Sequence, residues 1–92
     1  MHSIIWSPKA KENYSELLQY VENNFGLDAA LDLLEKTDKV IDGISLFPNM
    51  FPASTLRPEI RKANISKQTS LYYKVGDIEV KLLEFVDNRK DS

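Results

Sequence analysis

Cysteine is absent from this 92-residue chain. That excludes a disulfide framework, a thiolate nucleophile and a zinc ribbon, and it suits a reducing cytoplasm. Histidine occurs once, as His2. Neither a His–His acid/base pair nor a Ser-His-Asp triad on a core histidine is therefore available within one chain. No apolar run approaches the ~18–20 residues of a membrane span. Met1 to Trp6 lacks the basic and long apolar segments of a secretory signal. Asn64-Ile65-Ser66 matches a glycosylation acceptor, and without such a signal it is read as chance. Repeats and low-complexity tracts are missing too. No cofactor, metal or membrane contact is expected. The 42% hydrophobic and 28% charged residues are ordinary for a globular protein, and the length allows one domain, residues 1–92, with one core.

The net charge of −2 hides an asymmetry. Residues 1–46 carry four lysines against eight carboxylates, and residues 47–92 carry eight cations against six. The basic character concentrates in residues 57–74, where Arg57, Arg61, Lys62, Lys67 and Lys74 face Glu59 alone. Such a stretch on an acidic chain is either a solvated strand face or a contact with an anionic partner.

Ser3-Ile4-Ile5-Trp6 reads as a short strand. Ser7-Pro8 then predicts a helix start, with serine as the cap and proline at the first helical position. Ala10, Tyr14, Leu17, Leu18, Val21 and Phe25 lie on one face of that helix, and Gly26 is its expected left-handed stop. A second helix begins near Asp28, carries Leu31, Leu33, Leu34, Val40, Ile41 and Ile44, and ends before Phe47-Pro48. With only Gly26-Leu27 between them, the helices form an antiparallel hairpin. Three prolines and no period mark residues 47–58 as a crossing loop.

Beyond it the period becomes two. Strands are predicted over Ile60–Ile65, Thr69–Val75 and Ile78–Val86. Gly76-Asp77 suggests a type II′ turn, which would set Val75 opposite Ile78, Tyr73 opposite Val80 and Leu71 opposite Leu82. On the last strand Ile78, Val80, Leu82 and Val86 share the core face. Glu79, Lys81, Leu83, Phe85 and Asp87 share the other, so Leu83 and Phe85 are expected to form a partner surface that the polar tail, residues 88–92, is too short to cover. The order β-α-α-β-β-β predicts an α+β two-layer fold, a helical hairpin on a four-stranded, mostly antiparallel sheet.

This order, with these residues in place, resembles the RelE/ParE toxin superfamily of bacterial type II toxin–antitoxin systems, the plasmid stabilisation type. The resemblance runs from Ile4 to Lys90. It is carried by Trp6-Ser7-Pro8-Lys9-Ala10, by Tyr20 to Gly26, by Leu46-Phe47-Pro48, by Ile60-Arg61-Lys62, by Leu71 to Val75, and by the ending Phe85-Val86-Asp87-Asn88-Arg89-Lys90, which looks like the family's closing D-x-R element. The resemblance implies a cytoplasmic toxin neutralised by a cognate antitoxin. One branch of the superfamily cuts messenger RNA on the ribosome, and another poisons DNA gyrase.

RNA cleavage needs a deprotonated 2′-OH, a neutralised phosphate and a protonated leaving oxygen. Arg61, Lys62 and Lys67 could hold a phosphate, and Arg61, Lys62 and Tyr73 are the catalytic candidates. Tyr72 and Tyr73 read equally as sheet packing. Phe85 and the residues after it supply no C-terminal tyrosine or histidine, and the pI near 5.3 suits ribosomal RNA poorly. The gyrase-directed reading is therefore preferred, with the ribosome-dependent endoribonuclease and a non-toxic interaction module as alternatives. In each case the antitoxin- or target-binding candidates are Arg57, Arg61, Lys62, Lys67, Leu83, Phe85, Asp87 and Arg89. Asp87 and Arg89, two apart on a strand-like ending, point the same way and read either as part of that surface or as a local ion pair.

Overall fold

In the computed structural model, which describes residues 1–89, Ser7 caps the first helix as its position before Pro8 requires. Its hydroxyl accepts from the Ala10 N–H at 3.0 Å and donates to the Leu83 carbonyl at 3.1 Å, so the cap also ties the helix to the last strand. Helix α1 (Pro8–Phe25) buries Ala10, Tyr14, Leu17 and Val21, spaced by four, three and four. Leu18 packs partly against the core, whereas Phe25 is exposed. Gly26 alone then separates α1 from α2 (Leu27–Leu46). Its φ is 95° and its ψ 169°. The positive φ is as expected, but the extended ψ is a conformation essentially reserved for glycine and not the left-handed helical stop. This single residue reverses the chain.

Helix α2 buries Ala30, Leu33, Thr37, Ile44 and Ser45. Its end is fastened to the start of strand β1 (Ser3–Trp6): the His2 N–H donates to the Ser45 carbonyl at 2.9 Å, and the Ser45 hydroxyl donates to the His2 carbonyl at 2.6 Å. Strands β2 (Ile60–Asn64), β3 (Thr69–Val75) and β4 (Glu79–Asp87) complete one sheet in the order β1-β4-β3-β2. β1 runs parallel to β4, and the other two pairings are antiparallel. The helical hairpin covers one face, giving the two-layer α+β architecture. No helix among the described residues is long and apolar enough to cross a membrane.

Two features of the β3–β4 hairpin differ from the sequence reading. First, Val75 pairs with Val80, and the Gly76 N–H donates to the Glu79 carbonyl at 2.7 Å. The turn spans residues 76–79, Gly76 has no positive φ, and a type II′ turn is excluded. Second, Tyr72 pairs with Glu84 and Tyr73 with Leu82, leaving Leu83 as a bulge. The extra residue inverts the alternation of β4 from there on. Val80, Leu82, Phe85 and Asp87 are all buried, and Val86 is not. Ile78, placed on the core face by its alternation, sits exposed in the turn.

Phe85 is consequently a core residue, not a partner surface. It is 5% exposed, stacks on Trp6 with ring centroids 5.4 Å apart and meets the Tyr14 ring, tilted, at 4.6 Å. Aromatic clusters of this kind add to the burial of their own apolar area. Of the tail at residues 88–92 that is expected to leave the sheet uncovered, residues 90–92, with Lys90 of the closing element, lie outside the described residues.

Candidate functional site: the open sheet face and its basic residues

The register determines which side chains reach the sheet face that the helices leave open. On β2, Arg61 pairs with Tyr73 and Ala63 with Leu71, and Tyr73, Ala63 and Leu71 are fully buried. Arg61 therefore shares the helix side of the sheet. Its guanidinium donates to the Phe51 carbonyl at 2.6 Å and, at 3.5 Å, to that of Asn49. Tyr73 donates its hydroxyl proton to the Pro48 carbonyl at 2.8 Å. Burial pushes the Tyr73 pKa above its ordinary value, although neighbouring Arg61 and a backbone contact at Phe51 pull the other way.

Arg61 and Tyr73 thus fasten the proline-rich crossing loop, which accepts from both through carbonyls that helix and sheet cannot satisfy. The loop is held further by the Lys62 N–H, which donates to the Pro52 carbonyl at 3.2 Å, and by a bridge between Ala53 and Arg61. Neither Arg61 nor Tyr73 is poised on the open face.

The other predicted site residues scatter. Arg57 lies before β2 at the open end of the β2–β3 hairpin, paired with Glu59 at 2.7 Å. Backbone and guanidinium donors hold the Glu59 carboxyl below its usual range. Lys67 is exposed at the opposite end, in the turn between β2 and β3. Asp87 and Arg89 form the local ion pair: Asp87 Oδ1 accepts from the Arg89 N–H at 2.9 Å and from Nε at 3.1 Å. The Arg89 guanidinium also lies 4.7 Å from the Phe25 ring centroid and 5.9 Å from that of Tyr20, a cation–π seat at the end of α1. Arg61 and Arg89 lie in two separate places away from the open face, whereas Arg57 and Lys62 both stand beside Tyr72.

What the open face does assemble is a lysine platform. Lys62 extends over Tyr72, its Nζ 6.0 Å from the ring centroid. Lys74 and Lys81 are direct cross-strand partners, flanked in the same row by Ile60 on β2 and Ile5 on β1. Like charges directly opposite are unfavourable in a sheet, and the chain's own carboxylates offset this in part: Glu59 feels the charge of Lys74, and Glu79 lines a recess with both lysines. Leu83, thrown out by the bulge, borders a recess of about 210 Å3 with Arg57, Ile60, Tyr72 and Glu84. Lys62, exposed, and Leu83, half-buried, both lie on this face. Lys74 and Lys81 were missing from the predicted site, because a hairpin closed at Gly76-Asp77 would set Lys74 opposite Glu79. Among the described residues, no cluster of three or more His, Cys, Asp or Glu could hold a metal ion.

No curated relative matches the chain. Among solved structures, the chain is similar to the chromosomal ParDE toxin–antitoxin system of P. aeruginosa, with 17% identity, 95% of this chain and 96% of that one covered, and a TM-score of 0.78. It is also similar to the YoeB dimer of Staphylococcus aureus, at 20% identity, 92% and 94% coverage and a TM-score of 0.64. YafQ of E. coli aligns at 15% identity, 98% and 97% coverage and a TM-score of 0.61. These likenesses establish the shared fold. The family model described as the ParE toxin of the type II toxin–antitoxin system parDE matches residues 4–91, nearly the whole chain. Its helical hairpin, mixed sheet and sequence together make this chain a member of the ParE toxin family of type II toxin–antitoxin systems.

Proposed function

We propose that this chain is a non-catalytic cytoplasmic toxin directed at DNA gyrase and neutralised by a cognate antitoxin. The observation that carries the reading is where Arg61 and Tyr73 direct their hydrogen bonds. Phosphodiester cleavage needs a cationic clamp and an acid/base group around one phosphate. Here two of the three candidates, Arg61 and Tyr73, hold the loop at residues 48–51, and a tyrosine whose pKa is raised by burial keeps its proton at neutral pH. A toxin that acts by binding needs only a surface, and the platform of Lys62, Lys74 and Lys81 with Tyr72 and Leu83 offers one. The ParE family match supports the same branch.

The antitoxin reading is supported by the ParDE and YoeB–YefM complexes among similar structures. An acidic antitoxin segment laid across the open face would answer the Lys74–Lys81 pair.

A second reading, ribosome-dependent messenger cleavage, is favoured by that same platform, since lysines beside the half-buried Tyr72 can hold an RNA backbone and stack a base. The direct test is purified chain added to gyrase in a supercoiling assay, with a parallel messenger-cleavage assay on translating ribosomes. Loss of supercoiling without cleavage supports the proposal. Cleavage with intact supercoiling supports the second reading and overturns the first.

A further inference from the structure

The bulge on β4 gives the open sheet face a recess as well as a surface. Leu83 is the extra residue, and Leu82 and Phe85 to either side of the Leu83-Glu84 step are buried in the core. The recess measures about 210 Å3 and is lined by Ser54, Arg57, Ile60, Tyr72, Leu83 and Glu84. Its apolar lining comes from three strands, as Ile60 of β2, Tyr72 of β3 and Leu83 of β4, all half-buried.

The charged groups of the rim are already answered. Arg57 pairs with Glu59 at 2.7 Å, and Lys9 reaches Glu84 at 3.4 Å. The Ser54 hydroxyl accepts from the Arg57 N–H at 3.4 Å. An occupant therefore gains by burying apolar surface, not by pairing with the walls. A cavity of about 150 Å3 takes up benzene, so a leucine or phenylalanine side chain fits. Unanswered charge lies one step further out. The recess falls between two cross-strand rows, Lys62 with Tyr72 and Glu84 on one side, and Ile60 with Lys74 and Lys81 on the other. Glu59 and Glu79 lie near the last two lysines, but none of the three lysines forms an ion pair among the described residues. An apolar recess set between cations matches an acidic partner that carries an apolar side chain, and it disfavours a basic one.

We propose that this recess anchors one leucine or phenylalanine of an acidic, extended partner segment, with carboxylates two residues to either side meeting Lys62 and the Lys74–Lys81 pair. Alternate side chains of an extended segment point the same way, about 6.5–7 Å apart, within reach of lysine stems from both rows. The inference rests on the antitoxin reading of the open face and adds what that segment carries. The apolar anchor supplies most of the affinity, and the flanking carboxylates fix the register.

The test is an NMR titration of the full-length, isotope-labelled chain with the capped peptide Gly-Thr-Glu-Thr-Leu-Thr-Glu-Thr-Gly. Saturable shifts are expected at the Leu83 methyl groups and the Tyr72 ring. Serine in place of the central leucine should weaken binding about tenfold or more, the loss expected for one buried leucine side chain. Lysine in place of both glutamates should abolish it. Leu83→Ala should reproduce the loss seen with the serine peptide. Lys62→Gln alters only an exposed side chain and should weaken binding severalfold. Absence of saturable shifts, or an equal response to the serine peptide, would overturn the anchor. An equal response to the lysine peptide would overturn the charge pairing. Tighter binding of a single-stranded oligouridylate at the same residues, or an antitoxin affinity unchanged by Leu83→Ala, would overturn the partner assignment. Growth rescue by antitoxin co-expression tests the antitoxin reading independently.

Discussion

Replacing Arg61 by alanine separates a loop fastener from a catalyst. The guanidinium makes one short, partly buried bond to the Phe51 carbonyl and one long, exposed contact to Asn49. A hydrogen bond to a charged group contributes about 1.5–3 kcal/mol, and the 3.5 Å contact adds little. Arg61→Ala should therefore destabilise the fold by about 2 kcal/mol, which lowers the Tm of a domain of this length by roughly 8–16 °C. Tyr73→Phe removes a neutral bond to the Pro48 carbonyl and should cost about 1–2 kcal/mol. Both residues hold the same short loop, so their effects should couple. Once one anchor is gone the loop is already loosened, and the double variant should fall short of the summed losses by at least ~0.5 kcal/mol. Urea unfolding read through the midpoint at constant slope measures all three. Arg61→Ala expressed below its lowered Tm should remain toxic. Loss of toxicity with stability unchanged would refute the fastener role and restore Arg61 to the chemistry.

Four further outcomes follow from the same structure. Gly26→Ala should cost about 1–3 kcal/mol through backbone strain alone, since a Cβ there meets nothing within 4 Å, whereas Gly43→Ala should stabilise by up to ~1 kcal/mol through helix propensity, because only the flexible Met50 side chain stands near; thermal unfolding distinguishes the two. Phe85→Ala should cost about 3–5 kcal/mol, and a cost below ~1 kcal/mol would contradict its place in the Trp6–Tyr14 stack. Burial raises the pKa of both Tyr14 and Tyr73 above 10.0, so the unfolded chain releases these protons first. Stability from them is complete below pH 10 and is lost as pH rises through the folded values, and Tyr73→Phe should flatten that alkaline limb in a pH series of unfolding curves. Lys74→Glu converts a like-charge cross-strand pair into an opposite one but sets a carboxylate near Glu59; stability should therefore change by less than ~1 kcal/mol while antitoxin binding measured by calorimetry weakens.

Most of the fold was legible because local chemistry and tertiary packing agree. Ser7-Pro8 starts α1, Gly26 turns the hairpin, and Thr69–Val75 forms a strand at the predicted bounds. Two local departures from simple alternation account for the differences on β4. Alternation was extended through Leu82-Leu83, two adjacent apolar residues that in fact mark the bulge. That single extra residue carried Phe85 into the core and left Leu83 outside. A turn read as ending at Asp77 when it runs on to Glu79 has a similar effect and conceals the Lys74–Lys81 pair. Arg61 was harder to read. Its orientation depends on Ala63 and Tyr73 sharing its face and on where the crossing loop presents its carbonyls, and no local pattern encodes either.

The central claim is that this ParE-family chain is a toxin that acts by binding gyrase, and it is tested most directly by inducing the chain alone in bacteria and following DNA and protein synthesis by pulse labelling. The account predicts that DNA synthesis falls first and that co-induced antitoxin restores it. An earlier fall in protein synthesis, accompanied by cut messenger on ribosomes, would contradict it.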